Sequence, residues 1–286
     1  MTRAISTGIW CAVIAAVLWS TGGIGIKAAA FDGPTTAAFR ALFAGLVFLP
    51  FVRWKSFPRT WLLLVFIVIF ALMSGTFVMA TKLTTASNAI ALQYTSIFWV
   101  FLFTEFPRTR RIPAPLIFPL ALLFIGIFTF FQEPDTGTNV IGNILALSSG
   151  IWFGLVAITI KKLAVDHGVS LVCLANLGAF PLLWAVSGFQ LPVEATMTDW
   201  SVVIYMGIFQ MGAAYWFFNK ALHSISALTG SFVTLVEPLL NPIWVWLIIG
   251  EIPSMEGILG WCCLMLSLLL YLRAQRNMAV VSAGTD

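Results

Sequence analysis

The chain has 286 residues, 60% of them hydrophobic and only 9% charged, with a formal net charge of +4. A water-soluble domain carries about 25% charged residues, so a surface facing water cannot be assembled from this composition. That excludes a soluble enzyme, a nucleic-acid-binding domain, a disulfide-stapled secreted scaffold and a disordered chain.

A helix needs about 20 apolar residues to cross the roughly 30 Å hydrocarbon core of a bilayer. Runs of that length predict ten spans, approximately 8–30, 35–52, 60–80, 84–104, 114–131, 138–160, 169–188, 200–219, 226–249 and 256–272. They are too long and too evenly apolar for barrel strands, so the fold class is an all-α integral membrane bundle. Arg3 and the Ala28-Ala29-Ala30 run give the first span the look of a signal peptide. Its apolar stretch is too long for one, and its pattern recurs later in the chain. Cys11, Cys173, Cys262 and Cys263 lie in apolar runs without CxxC spacing and read as inert buried hydrophobes.

Orientation follows from the basic residues. Arg3, Arg53, Lys55, Arg59, Arg108, Arg110, Arg111, Lys161, Lys162, Lys220, Arg273 and Arg276 fall at the N-terminus and in every second connection. The opposite connections hold only Lys27 and Lys82, and Arg40 lies inside a span. This positive-inside bias places both termini in the cytoplasm, as an even number of spans requires. Acids lean the other way, with Asp32, Glu133, Asp135, Glu194, Asp199, Glu251 and Glu256 on the outer side.

The first span reads Trp19, Ile26-Lys27, Ala30, Asp32-Gly33; the sixth reads Trp152, Ile160-Lys161, Ala164, Asp166, Gly168. The Ile-Lys-x-x-Ala-x-Asp spacing is identical, with the Trp offset by one. Ala80-x-Lys82-x-x-Thr85-Ala86 pairs more weakly with Ala221-x-His223-x-x-Ser226-Ala227. These matches divide the chain into residues 1–133 and 134–286, five helices each. Five is odd, so the second repeat enters the membrane from the opposite side, the inverted arrangement of alternating-access transporters with a site near midplane.

Trp19 and Lys27, Thr35-x4-Arg40-Ala41-x-x-Ala44-Gly45 opening the second span, and Ala227 through Glu237-Pro238 to Gly250-Glu251 in the ninth carry a family resemblance. The chain resembles the drug/metabolite transporter superfamily, within it the EamA-type ten-helix exporters, and among those the YddG-like aromatic amino acid exporters. The fourth span departs from the pattern: it has Ser96-Ile97 where the family often has Pro, and reaches Glu105 a turn early. The equivalence of the two central helices is therefore in question.

Intramembrane polar groups give the candidate site. Glu237 is about 12 residues from either end of its span, roughly 18 Å of helical rise, too far to snorkel. Pro238, Asn241 and Pro242 beside it predict a kink. A broken, polar midpoint marks a substrate or ion site, and the carboxyl is a candidate proton carrier; a structural partner pinning the packing is the other reading. Arg40, about two turns inside its span, either caps carbonyls or pairs with an acid, or else captures a substrate carboxylate. Tyr94 and Ser96 belong to a polar cluster with Asn88, Gln93 and Thr95, whereas Gln210 and Tyr215 add neutral groups on the eighth span, with Ser74 on the third and Ser148 and Ser149 on the sixth. Asn88 serves equally well as interhelical glue. Trp19 and Trp152 sit at midspan, where an interfacial belt does not explain them, and read as walls for apolar or aromatic side chains. Trp54, Trp61, Trp184 and Trp200 read as that belt. The substrate-binding candidates are thus Trp19, Arg40, Tyr94, Ser96, Trp152, Gln210 and Glu237.

The expected function is a secondary transporter in the bacterial inner membrane exporting small amphipathic metabolites, amino acids including aromatic ones. The resemblance supplies that substrate class; it also implies central fourth and ninth helices, a cavity lined by helices 1, 3, 6 and 8, and peripheral helices 5 and 10. The alternatives are a quaternary-cation drug exporter of the same superfamily, although the first span has no acid before Asp32, and a passive channel. A membrane enzyme is disfavoured by the lack of HExxH, GxSxG or an intramembrane aspartate pair. No cofactor, metal ion or nucleic-acid partner is expected. The partners are a small-molecule substrate and the lipid bilayer, and a monomer suffices.

Overall fold

The computed structural model describes residues 3–54, 61–131, 140–163, 168–249 and 255–283. Ten helices account for the bundle: α1 (Arg3–Ser20 and Gly22–Ala28), α2 (Gly33–Phe48), α3 (Trp61–Leu83), α4 (Ala86–Gln93 and Ser96–Thr104), α5 (Ala114–Phe131), α6 (Val140–Leu163), α7 (Gly168–Val186), α8 (Met197–Ser224), α9 (Ala227–Val233 and Val236–Ile249) and α10 (Met255–Ala283). Among the described residues no strand occurs; nine helices are long and apolar enough to cross a membrane, and Ala114–Thr129 of α5 is a shorter apolar one. α1 starts earlier than the hydropathy pattern predicts, and α10 continues well past residue 272 because its polar end is still helical. Glu133, Asp135, Lys55, Arg59, Asp166, His167 and Glu251 lie outside the described residues.

The helices start where side chains accept the first free amides. Asp32 accepts from Thr35 N at 2.6 Å, Thr85 from Asn88 N at 3.1 Å and Ser226 from Thr229 N at 3.1 Å, while Thr196 and Asp199 form a capping box. Lysines close the other ends, where carbonyls lack donors. Lys27 at the end of α1 donates to Thr84 O at 2.6 Å, and Lys161 near the end of α6 donates to Leu222 O at 2.5 Å and Ile225 O at 3.0 Å. Lys82 donates to Ala29 O at 2.5 Å.

Packing joins the earlier helices to the later ones: α1 lies on α8, α3 on α6, α2 on α7 and α5 on α10. α4 and α9 are both broken near the middle, and their segments meet there. In α9 the cause is Pro238, which has no N–H for the carbonyl of Thr234. That carbonyl accepts instead from Tyr94 OH at 2.5 Å and Glu237 N at 2.9 Å. Pro242 likewise frees the carbonyl of Pro238, which accepts from Trp261 Nε1 of α10 at 3.0 Å. α4 breaks without proline: Thr95 N reaches back only to Leu92 O at 3.2 Å, and Thr95 Oγ1 reaches the same carbonyl at 2.8 Å. Gly150 of α6 packs on this turn, where an added Cβ would lie 2.9 Å from Gln93 O. The missing proline therefore does not remove the equivalence of the two central helices: both are interrupted, at Tyr94–Thr95 and at Thr234–Leu235.

One surface expectation needs correction: Cys262 is exposed and Cys263 half-buried, where both were expected to be buried. Trp200, against Phe31, Phe39 and Phe43, and Trp184, stacked on Phe180 at 5.4 Å, are half-buried near the ends of their helices, and Trp54 and Trp61 stand exposed. Replacing Trp261 by Phe leaves the freed Pro238 carbonyl without its indole donor. The expected cost is about 1–3 kcal/mol, read as a lower apparent Tm of the purified protein in micelles; an unchanged Tm contradicts this account of the kink.

Candidate functional site

A small cavity lies where the two broken helices meet α1, α2, α3, α6 and α8. Its volume of about 20 Å³ is room for roughly one water molecule. Trp19, Arg40, Gln210 and Glu237 all line it. Tyr94 stands behind Glu237, fully buried, and donates to Glu237 Oε2 at 2.8 Å as well as to Thr234 O. The single hydroxyl hydrogen serves both acceptors, so Tyr94 ties the carboxyl to the break of α9.

Arg40 is 1% exposed. Among the described residues its one hydrogen-bond partner is Gln210 Oε1, bonded by Nη2, and its Nε and Nη1 have none. It neither caps a carbonyl nor pairs with an acid, the two structural roles the sequence suggested. Gln210 reaches it from a π-helical stretch of α8, Met206–Ala213. Such widened turns inside a helix recur at functional sites. The break in α1 accommodates the same side chain: at Gly22 an added Cβ would fall 2.6 Å from Gln210 Nε2.

Besides Tyr94, two further sequence candidates, Trp152 and Ser96, do not line this cavity. Trp152 is half-buried on another face of α6, and its neighbour Phe153 takes the place beside Trp19, with ring centroids 5.5 Å apart. The repeat itself held the signal: Trp19 lies eight residues before Lys27, and the residue eight before Lys161 is Phe153. Ser96 is buried at the break of α4, with its Oγ unpartnered, but does not line the cavity. Asn88 turns toward α6 and bonds Asn143 Oδ1 at 2.8 Å, the interhelical glue. Met73, Phe77 and Met211 also line the cavity; as plain apolar residues in apolar spans they carried no signal in the sequence.

Aromatic clusters bound the cavity along the helices in both directions. On the side of the Asp32 turn, Trp200 packs edge-on against Phe31 and Phe39, each at 5.1 Å, with Phe180 6.0 Å from Phe39. Toward the termini, Trp19 packs against Tyr215 at 4.9 Å and Phe218 at 5.1 Å, and Phe70 against Tyr215 at 5.0 Å. Among the described residues no group of three or more His, Cys, Asp or Glu could hold a metal ion.

A helical bundle with broken central helices and a buried arginine and carboxyl group beside a midspan cavity defines a polytopic membrane transporter. The family model described as the EamA-like transporter family matches twice, over residues 6–132 and 140–273, and the chain belongs to that family, of the drug/metabolite transporter superfamily. An uncharacterized transporter of Clostridium kluyveri is 26% identical over 63% of this chain and 61% of its own length. The pseudopaline exporter CntI of Pseudomonas aeruginosa is 22% identical over 67% of each chain, and the uncharacterized transporter YwfM of Bacillus subtilis 27% identical over 57% of this chain and 56% of its own. The chain thus spans less than two thirds of the Clostridium and Bacillus relatives. A solved crystal structure of another protein shares the fold, with a TM-score of 0.76 at 16% identity over 95% of this chain and 99% of that one.

Gln210→Leu removes the only side-chain acceptor of the Arg40 guanidinium among the described residues. A hydrogen bond to a charged group contributes about 1.5–3 kcal/mol, so the variant is expected to unfold at a lower temperature. A parental Tm shows that Gln210 does not hold Arg40.

Proposed function

We propose that the chain exports small zwitterionic metabolites, amino acids including aromatic ones, from the cytoplasm of a bacterium by alternating access at the central cavity. The observation that carries this reading is a buried arginine and a buried carboxyl group lining one cavity, with two Arg40 nitrogens unpartnered. A planar guanidinium fork suits a carboxylate, and Glu237 supplies the complementary anion for an ammonium group. Trp19, Phe153 and Phe77 give the substrate's side chain apolar walls. A buried arginine disfavours a quaternary cation, which brings a second positive charge and no carboxylate. The pseudopaline exporter among the relatives fits a role in exporting a metabolite.

The transport cycle rests on residues 1–133 and 134–286 being inverted repeats. Exchanging each helix with the one five places on turns α1–α8 into α6–α3 and leaves α2–α7, α5–α10 and α4–α9 as they are, which is the packing observed. The Lys27 and Lys161 bonds exchange in the same way. Two alike halves can swap conformations, so that one aromatic cluster opens as the other closes. The positive-inside bias sets the termini in the cytoplasm of the inner membrane, and one chain contains the whole pathway. Glu237 serves the substrate's ammonium in one half of the cycle and a proton in the other.

Counterflow of labelled phenylalanine into proteoliposomes, with and without a pH gradient, tests this. Arg40→Gln is expected to lower kcat/KM at least tenfold, and Glu237→Gln to lose the response to the gradient. Absence of counterflow for every amino acid overturns the substrate class, and parental rate and pH dependence in Glu237→Gln overturn its role.

A further inference from the structure

The turn between α1 and α2, residues 29–32, is tied to helices of its own family-matched stretch, residues 6–132. Lys82 Nζ of α3 donates to Ala29 O at 2.5 Å, Thr36 Oγ1 of α2 donates to Phe31 O at 3.3 Å, and Asp32 Oδ1 accepts from Thr35 N at 2.6 Å. The turn therefore moves with α2 and α3. The start of α8, in the second matched stretch, grips the same turn at two successive residues. Asp199 Oδ1 accepts from Ala30 N at 3.2 Å, and the next side chain, Trp200, stands edge-on to Phe31 at 5.1 Å. The other oxygen of Asp199 accepts from Thr196 N at 2.9 Å and Thr196 Oγ1 at 2.6 Å, which aims Oδ1 at the turn.

Beside this grip lies a cavity of about 400 Å³ lined by Ala30, Phe31, Asp32 and Glu194 among others. That size falls within the roughly 300–1,000 Å³ of small-molecule sites. Ala30 and Phe31 thus serve twice: they wall this vestibule, and they are the residues that α8 holds. Phe31 is 5% exposed, with its ring against Trp200 and Phe39 in the aromatic cluster that bounds the central cavity on this side. Along α8 about 15 Å of helical rise separates Trp200 from Gln210. Parting the start of α8 from the turn opens the wall between the vestibule and that cluster.

We propose that Asp199 and Trp200 form a latch on the α1–α2 turn, and that its release makes the vestibule the exit of the substrate. The proposal rests on the alternating-access reading above and does not depend on which metabolite is carried. The two residues divide the work. The bond from Ala30 to Asp199 is exposed, so water replaces it when the latch parts and no polar group is stranded. The Trp200 ring closes the apolar part of the same contact against Phe31, Phe39 and Phe43. Both are positioning residues: they act on the turn, and neither lines the central cavity.

The test is the rate at which a charged, water-soluble thiol reagent modifies Ser74→Cys in the purified full chain in micelles, with Cys11, Cys262 and Cys263 replaced by alanine and Cys173 kept. Ser74 lines the central cavity and is 2% exposed, so a thiol there reacts when the bundle opens. Cys173, fully buried on α7, reports general loss of packing instead. Asp199→Ala is expected to raise the rate at position 74 about fivefold, the worth of one net hydrogen bond. Trp200→Ala raises it further, and Cys173 reacts as in the parent. Thr196→Ala removes the hydroxyl that caps α8 but keeps the backbone donor to Asp199, and is expected to react at the parental rate. Parental rates at position 74 in both Asp199→Ala and Trp200→Ala overturn the latch, as does a rise matched at Cys173 or in Thr196→Ala. Parental labelling in a chain that performs phenylalanine counterflow overturns the latch and leaves the transport reading standing. Faster labelling in a chain that counterflows no amino acid supports the latch and overturns the substrate class alone.

Discussion

A backbone carbonyl without a donor inside hydrocarbon costs several kcal/mol, because no water is there to replace the lost bond. The centre of this protein is arranged around that constraint. Pro238 and Pro242 leave the carbonyls of Thr234 and Pro238 without their helical donors, and each is met by a side chain from another helix, Tyr94 of α4 and Trp261 of α10. The proline pair thus does more than bend α9. It creates acceptors that only particular neighbours can satisfy, and so fixes α4 and α10 against α9. Tyr94 then has its hydroxyl where the Glu237 carboxyl can share it.

Charge obeys the same constraint with a different outcome. The lysines near helix ends, Lys27, Lys82 and Lys161, all find carbonyls that would otherwise go unpaired. Arg40 does not: deep in α2 it has, among the described residues, one amide oxygen for five N–H donors. A bundle selected for stability alone would place a second acceptor beside it. The neighbouring π-helical turn of α8 delivers Gln210, a neutral partner that holds the guanidinium without neutralising it. The arrangement keeps a cation in place and leaves its charge available.

What the sequence revealed follows from which signals are carried by composition and which by geometry. The spans were legible because hydrocarbon demands long apolar runs, and Arg40 and Glu237 because a charge in such a run stands out. The kink of α9 was legible from its prolines. The break of α4 was not, since it is made by Thr95 bonding back to Leu92 and by the close approach of Gly150, neither of which has a residue signature. The π-helical turn was equally silent: Met206–Ala213 reads as ordinary apolar helix. Trp152 stood out as a conspicuous residue type, whereas the spacing from Lys161 points to Phe153, the one of the two that lines the cavity.

The composition of the aromatic clusters explains why so small a cavity suits a transporter. Each is built across the two stretches that match the family model: Phe31 and Phe39 against Phe180 and Trp200 on one side, Trp19 and Phe70 against Phe153, Tyr215 and Phe218 on the other. Neither cluster can part while the helices that carry it stay fixed, so opening is a movement of packed helices and not of single side chains. Edge-on aromatic contacts contribute about 0.5–1.5 kcal/mol each, strong enough together to keep a cluster shut and weak enough singly to be exchanged. In the proposed cycle, a ligand that completes the bonds of Arg40 brings to the cavity what the described residues lack there. Its binding then favours whichever arrangement has room for it, and the closed bundle, with space for about one water, has none.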